Sequence, residues 1–355
     1  MNYVGIDLHK KTIVLCVVNK DRQVLDRKKF NCRDTEAISD YFRSLGPFQF
    51  VVEATAAYYW LVGLLEPLAE RVVLAHPKKL RVIAETTRKT DKLDAQVLAE
   101  FLALDMIPEA YRPSPRERAY RRLVRHRQFV QSRITSIKNK IRNVLAGYNA
   151  DREQLFTRAG LAYLKQVPVG QADRFVLDQL RNDLIHFRGQ LTAVDKELEA
   201  FRERGPQREQ EARMLLGSIP QVGPVTSDAV LSELGDVRRF RNAKQVCAYA
   251  GLVPGVRESA GKRKDKGITK EGSRMLRWVL VEAAWRLKNT HAKWGHIYEQ
   301  LHKRCGKKKA IVAVARKLLC VIYAMLRDGT GYGGDMTLKK IREFQRWARA
   351  GTTTQ

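Results

Sequence analysis

The sequence predicts an α/β amino-terminal domain followed by a mostly helical remainder, and three observations carry that expectation. Strand-like apolar runs alternate with helical patterns from Met1 to about Ile107. Pro108, Pro113 and Pro115 then end the alternation, and two long amphipathic helical patterns and a set of apolar helices follow.

The first region opens with Asn2-Tyr3-Val4-Gly5-Ile6-Asp7-Leu8-His9-Lys10, an apolar run ending in an aspartate, and a second apolar, β-branched run begins at Thr12. A hairpin with an acid on its first strand is expected. Further strand-like runs lie at 24–30, 48–52 and 72–75, with helical ones at 35–45, 58–69, 78–86 and 91–104. Three strands before the first helix, then βαβ units, is the order of an RNase H-like domain. The sugar-kinase and actin superfamily opens in the same way but needs Gly-rich phosphate loops, and none follows here.

Beyond the prolines, Ser114 is placed to cap a helix from about Arg116 to Leu145, with Leu123, Val130, Ile134, Ile137, Ile141 and Leu145 on one stripe that calls for a partner helix. A second long pattern spans 172–204 and is stopped by Gly205-Pro206. The pair is expected to form a helical hairpin or coiled-coil arm, spanning two globular ends or pairing with another subunit. Next comes Gly217-Ser218-Ile219-Pro220-Gln221-Val222-Gly223-Pro224 before a helix at 225–234. This reads as a helix-hairpin-helix-like element, whose backbone N–H groups hold a phosphate, or as a plain helix–turn–helix connection; the sequence leaves both open. A helix at 240–250, a Gly-rich basic loop at 251–273 and apolar helices at 275–287 and 311–326 complete a mostly α carboxy-terminal domain. The expected division is 1–107, 108–206, 207–328 and a loosely attached basic tail, 329–355.

Lys and Arg number 66 against 38 Asp and Glu, a formal charge of +28 over 355 residues, which suits a polyanionic partner and above all nucleic acid. A membrane fits less well, because the longest apolar tract, 310–326, contains Arg316-Lys317. A soluble, intracellular protein is expected. Cys16, Cys32, Cys247, Cys305 and Cys320 show no CxxC spacing, so neither a zinc site nor a disulfide framework is indicated. His9 is expected to neighbour the acids rather than serve as a ligand.

The chemistry is carried by four acids. Asp7 and Glu53 each end an apolar strand, while Asp91 and Asp94 stand three apart at the start of a helical pattern and so share a face. Carboxylates gathered in one cleft repel unless divalent cations neutralise them, and oxygen ligands suit Mg2+ or Mn2+. Two such ions ~3.5–4 Å apart make a phosphoryl-transfer site. Cations dominate from Arg116 to Arg142, where Arg116, Arg121, Arg122, Arg125, Lys138, Lys140 and Arg142 are among those set against Glu117 alone. A face that tracks phosphates is expected there. Ser259 lies in the glycine-bearing loop just before Lys262, Arg263 and Lys264, a setting suited to meeting a phosphodiester.

Gly5-Ile6-Asp7, Val52-Glu53-Ala54-Thr55, Lys89-Thr90-Asp91-Lys92-Leu93-Asp94-Ala95, Ile219-Pro220-Gln221-Val222-Gly223 and Gly251-Leu252-Val253-Pro254 together resemble the DEDD transposases, the insertion-sequence recombinases of the IS-one-ten family related to the Piv DNA invertases. The resemblance spans nearly the whole chain. It implies a RuvC-like amino-terminal domain with a metal-binding tetrad of Asp7, Glu53, Asp91 and Asp94, and a carboxy-terminal transposase domain that brings Ser259 to it as nucleophile. It also implies target and donor DNA as substrates, a structured noncoding bridge RNA as guide, and a homo-oligomer, dimer or tetramer. Ala56 stands where the family has glycine, Ala260 parts the Ser-Gly pair, and Thr269 replaces the serine of the family's Ile-Ser-Lys. The expected activity is RNA-guided strand cleavage and rejoining through a phosphoserine; the alternatives are a RuvC-like, metal-dependent nuclease that activates water and a guide- or DNA-binding architectural protein.

Overall fold

The computed structural model describes residues 1–55, 57–83, 91–259 and 262–333, apart from the side chains of 81–83, 91–94, 256–259 and 262–266. The chain divides between Arg112 and Pro113 into two compact units.

In the first unit, β1 (Asn2–Leu8), β2 (Thr12–Val18) and β3 (Val24–Asn31) form an antiparallel meander. After α1 (Thr35–Ser44) comes β4 (Phe48–Glu53), and after α2 (Tyr58–Leu65) comes β5 (Arg71–Ala75). Both later strands join in parallel, giving the order β3-β2-β1-β4-β5. The helices α3 (Pro77–Ile83) and α4 (Asp91–Ala103) follow. This is the mixed sheet expected of an RNase H-like domain. The inner strands read as continuous apolar runs because both faces are covered. Val4, Ile6, Leu15, Phe50 and Val52 pack with Ile38 and Phe42 of α1 and Leu61 and Leu65 of α2, while Val51, Val73 and Ala75 pack with Leu98 and Leu102 of α4. The edge strand β3 carries Asp26, Arg27, Lys28 and Lys29, charges that discourage further strand pairing. The helix expected at 58–69 ends at Leu65 and passes into a 3-10 turn, Glu66–Leu68, because Pro67 cannot donate to a continuing helical ladder. The helix expected at 78–86 is described as far as Ile83; its last three residues lie outside the described residues.

The second unit begins with α5 (Pro115–Ala146), closed by a reciprocal cap. Ser114 Oγ accepts from the Glu117 N–H at 3.1 Å while the Ser114 N–H donates to the Glu117 carboxylate at 2.6 Å. A short α6 (Arg158–Tyr163) leads to α7 (Gln171–Glu203), which runs back antiparallel along α5: Tyr148 meets Asp173, Arg127 meets Asp195, and Arg116 meets Phe201. The far half of the hairpin has its own core of Val130, Ile134, Ile137, Ile141 and Leu145 against Leu177 and Leu184. Its near half contributes Tyr120, Val124 and Leu198 to the core of the remaining helices. These are α8 (Gln207–Gly217), α9 (Pro224–Leu234), α10 (Ala243–Tyr249), α11 (Arg274–Thr290) and α12 (Ala292–Asp328), the last broken at Gly306, where φ is 75°.

Two expectations are corrected. The basic loop at 251–273 contains an antiparallel ribbon of β6 (Pro254–Ser259) and β7 (Lys262–Ile268). The tail expected to be loose from 329 is tied down at its start. Gly329 ends α12 with a left-handed φ of 67°, the Tyr332 N–H donates to Ser218 Oγ at 2.9 Å, and Trp294 Nε1–H donates to the Tyr332 hydroxyl at 2.7 Å. Residues from 334 onward lie outside the described residues. Among the described residues no helix is long and apolar enough to cross a membrane.

Candidate active site

The strand register builds the site. Ile6 of β1 pairs with Val52 of β4, so one step further Asp7 comes beside Glu53. Ile6 and Val52 face α1 and α2, and alternation therefore turns Gly5, Asp7, Val51 and Glu53 to the opposite face. The helix α4 packs on that face, where Gly5 lies against Ala95, Leu98 and Ala99. Gly5 stands two residues before Asp7, and Ala95 follows directly on Asp94 in α4. The elements that carry the four acids, β1, β4 and α4, are therefore neighbours. The side chains of Asp91 and Asp94 lie outside the described residues.

Asp7 is partly covered, with its side chain 22% exposed, and its Oδ2 lies 3.1 Å from Nε2 of His9. His9 is the polar neighbour expected of it; its N–H donates to the Thr12 carbonyl at 2.9 Å and tightens the β1–β2 turn. Gly5 is a site residue that sequence reasoning missed. A Cβ there would lie 2.1 Å from the Ala95 carbonyl oxygen and 2.4 Å from the Ala99 nitrogen, so only glycine admits the helix this close. A glycine inside an apolar strand, two residues before the acid, was the available signal.

Ser259 is the last residue of β6 and pairs with Lys262 of β7. With Arg263 and Lys264 it belongs to the second unit. Along α5 the predicted cations split into two groups. Arg116 donates to the Glu209 carboxylate at 2.8 Å and to the Phe201 carbonyl at 2.9 Å. Arg121 donates to the Ser232 carbonyl at 3.0 Å, Arg125 donates to the buried Glu233 carboxylate at 2.8 Å, and Arg142 pairs with Asp151 at 2.7 Å. Lys138 stands over the Phe156 ring at 5.2 Å, and burial, helped by Arg188 and Arg142, lowers its ammonium below the ordinary lysine value. Arg122 and Lys140 are exposed. Sequence reasoning treated these seven cations as one class because the groups that engage Arg116, Arg121, Arg125 and Arg142 lie outside α5.

Comparison with known proteins agrees with this architecture. Residues 4–150 match the family model of DEDD transposases of the IS110 (IS-one-ten) type, and residues 213–299 match the model of the IS116/IS110/IS902 transposase family. The chain is 26% identical to a "Probable family 20 transposase" of Pseudomonas aeruginosa, covering 94% of this chain and 98% of that one. It is 26% identical to the transposase for insertion sequence element IS1111A of Coxiella burnetii, over 91% and 89% of the two chains, and 25% identical to the pilin gene-inverting protein of Moraxella lacunata, over 92% and 96%. With acids at the ends of β1 and β4 and at the start of α4, and with two family models matched in order along it, this chain belongs to the IS110 family of transposases and is a DNA recombinase.

Proposed function

We propose that this transposase cuts and rejoins DNA strands through a covalent serine–phosphate linkage, with Asp7, Glu53, Asp91 and Asp94 as its acidic centre and a structured noncoding RNA as its guide. The observation that supports the reading best is the register that sets Asp7 beside Glu53 on one face of adjacent parallel strands, the face on which α4 packs. Adjacent carboxylates repel one another, and a donor set made of carboxylate oxygens fits Mg2+ or Mn2+ better than a softer metal. When bound, such an ion lowers the pKa of a hydroxyl and offsets the charge that develops on phosphorus.

The serine performs the exchange. Its oxygen forms a bond to phosphorus as the bond to the departing strand oxygen breaks, the hydroxyl proton leaves to a base and the departing oxygen gains one. The reverse step, with the oxygen of a new strand as nucleophile, releases the serine and completes the transfer without ATP. In the second unit, the α5–α7 hairpin serves as the arm, and the turn between α8 and α9 acts as a helix-hairpin-helix-like phosphate holder. The charge of +28 supports binding of donor DNA, target DNA and guide RNA.

The test has two arms. Asp7→Asn is expected to abolish strand exchange in Mg2+ while nucleic-acid binding persists; full recombination by this variant refutes the acidic centre. Trapping the reaction with denaturant is expected to give a protease-sensitive protein–DNA adduct in wild type and none in Ser259→Ala. A Ser259→Ala chain that cuts DNA without an adduct makes the protein a water-activating nuclease instead.

A further inference from the structure

The register of the β6–β7 ribbon sorts the charges around Ser259 into two faces. Ser259 pairs with Lys262, Glu258 with Arg263, Arg257 with Lys264 and Val256 with Asp265. Residues paired across an antiparallel ribbon share a face, and successive residues alternate between faces. One face therefore carries Arg257, Ser259, Lys262 and Lys264; the other carries Val256, Glu258, Arg263 and Asp265. The second face carries no excess of cations, because Glu258 stands opposite Arg263 and Asp265 adds a second acid. On the first face Arg257 stands opposite Lys264, with Cβ atoms ~4.5–5.5 Å apart in such a pair, and like charges placed so are destabilising. No acid of these four pairs shares that face. Ser259 is its one hydroxyl, one pair further along and ~7 Å from the Arg257–Lys264 pair at the strand rise of ~3.4 Å per residue.

We infer that Arg257, Lys262 and Lys264 form with Ser259 a single phosphate-holding face of the ribbon, in which Lys262 serves the phosphate at the serine and the Arg257–Lys264 pair serves its neighbour on the same DNA strand. The inference rests on the reading of Ser259 as nucleophile and refines it, because it removes Arg263 from the contact set and adds Arg257. A polyanion supplies the negative charge that this face lacks, and a guanidinium beside an ammonium grips a phosphate by two directed N–H donors and a point charge. The same cations stabilise an anion formed at position 259.

The experiment reads that electrostatic environment without DNA and then with it. In a Ser259→Cys chain, the new thiol is titrated by its rate of reaction with neutral iodoacetamide, with the signal of the five native cysteines subtracted using wild type. The expected thiol pKa is below ~7.5, against ~8.5 for an unperturbed thiol. Adding Arg257→Gln and Lys264→Gln raises it, whereas Arg263→Gln leaves it within a few tenths. A thiol at its ordinary value, or one moved equally from both faces, overturns the inference. In the serine chain, the Arg257→Gln, Lys264→Gln double variant is expected to slow adduct formation at least tenfold relative to Arg263→Gln, with all variants matched in melting temperature; equal rates also overturn it. If Ser259→Ala recombines DNA without an adduct, the nucleophile reading fails on its own evidence, and the thiol titration still decides the charge grouping.

Discussion

Replacing Gly5 by alanine is the sharpest perturbation of the acidic centre that leaves every acid in place. The added Cβ would lie 2.1 Å from the Ala95 carbonyl oxygen, 2.4 Å from the Ala99 nitrogen and 2.9 Å from Leu98 Cβ. Ordinary contact begins near 3.4 Å, so α4 must retreat from β1 by at least about 1.3 Å. Gly5 is not among the glycines with positive φ, so the cost is steric. Two of the three contacts are backbone atoms, and trimming Leu98 therefore does not relieve it. Overpacking of this kind costs ~1–3 kcal/mol, which lowers Tm by roughly 4–8 °C per kcal/mol in a domain of this size. The same retreat moves α4, which carries Asp91 and Asp94, away from β1, which carries Asp7, and in the proposed acidic centre a misplacement of ~1 Å costs about a hundredfold in rate. The assay is thermal unfolding and strand exchange in the presence of Mg2+, with Gly63→Ala as the control because nothing lies within 4 Å of a Cβ there. A Gly5→Ala chain that melts and recombines like Gly63→Ala refutes the reasoning.

Two further predictions concern the second unit. Asp228 is 2% exposed and accepts from the Tyr120 hydroxyl at 2.7 Å, from Arg202 at 3.0 Å and from Arg213; Asp228→Ala leaves two guanidinium groups facing an apolar gap and is expected to cost ~3–5 kcal/mol in urea unfolding, and a loss below about 1 kcal/mol contradicts the role given to this network. Burial first, and then Cys320 with its sulfur 3.6 Å away, pushes the Cys247 thiol up from 9.0 to about 11. The fold favours the neutral thiol, so its contribution is complete below pH 9 and is lost as pH rises from 9 towards 11. Cys247→Ala is expected to flatten the fall in stability between pH 8 and pH 10.5, and an unchanged slope counts against it.

Asp7 and Glu53 stand out in the sequence because each closes an apolar run, and the meander-then-βαβ order follows from the same periods. Register was not legible. Nothing in the local sequence at Phe48–Glu53 says that Val52 pairs with Ile6, and it is this pairing that makes neighbours of Asp7 and Glu53. The cations of α5 were misread as a group for a related reason. Glu209 and Glu233 stand 93 and 108 residues from the arginines they engage, Arg116 and Arg125, and local patterning carries no information over such separations. A nucleic-acid face on this helix must therefore rest first on Arg122 and Lys140, which remain exposed.

The ribbon around Ser259 was hidden by a different cause, and that cause bears on function. A strand is read from sequence by an apolar residue at every second position, a pattern that exists when one face is buried. From Arg257 to Lys266 the sequence places charges at odd and even positions alike, Arg257 then Glu258 and Lys262 through Lys266, so the period is absent and the segment looks like a loop. The pairing supplies the order that the period could not, by setting acid against base on one face and cation against cation beside the serine on the other. A ribbon selected only for its own stability would cross the charges the other way, with each cation opposite an acid. The like-charged pair beside Ser259 fits the proposed role of the ribbon, in which the phosphates of a DNA strand supply the missing negative charge.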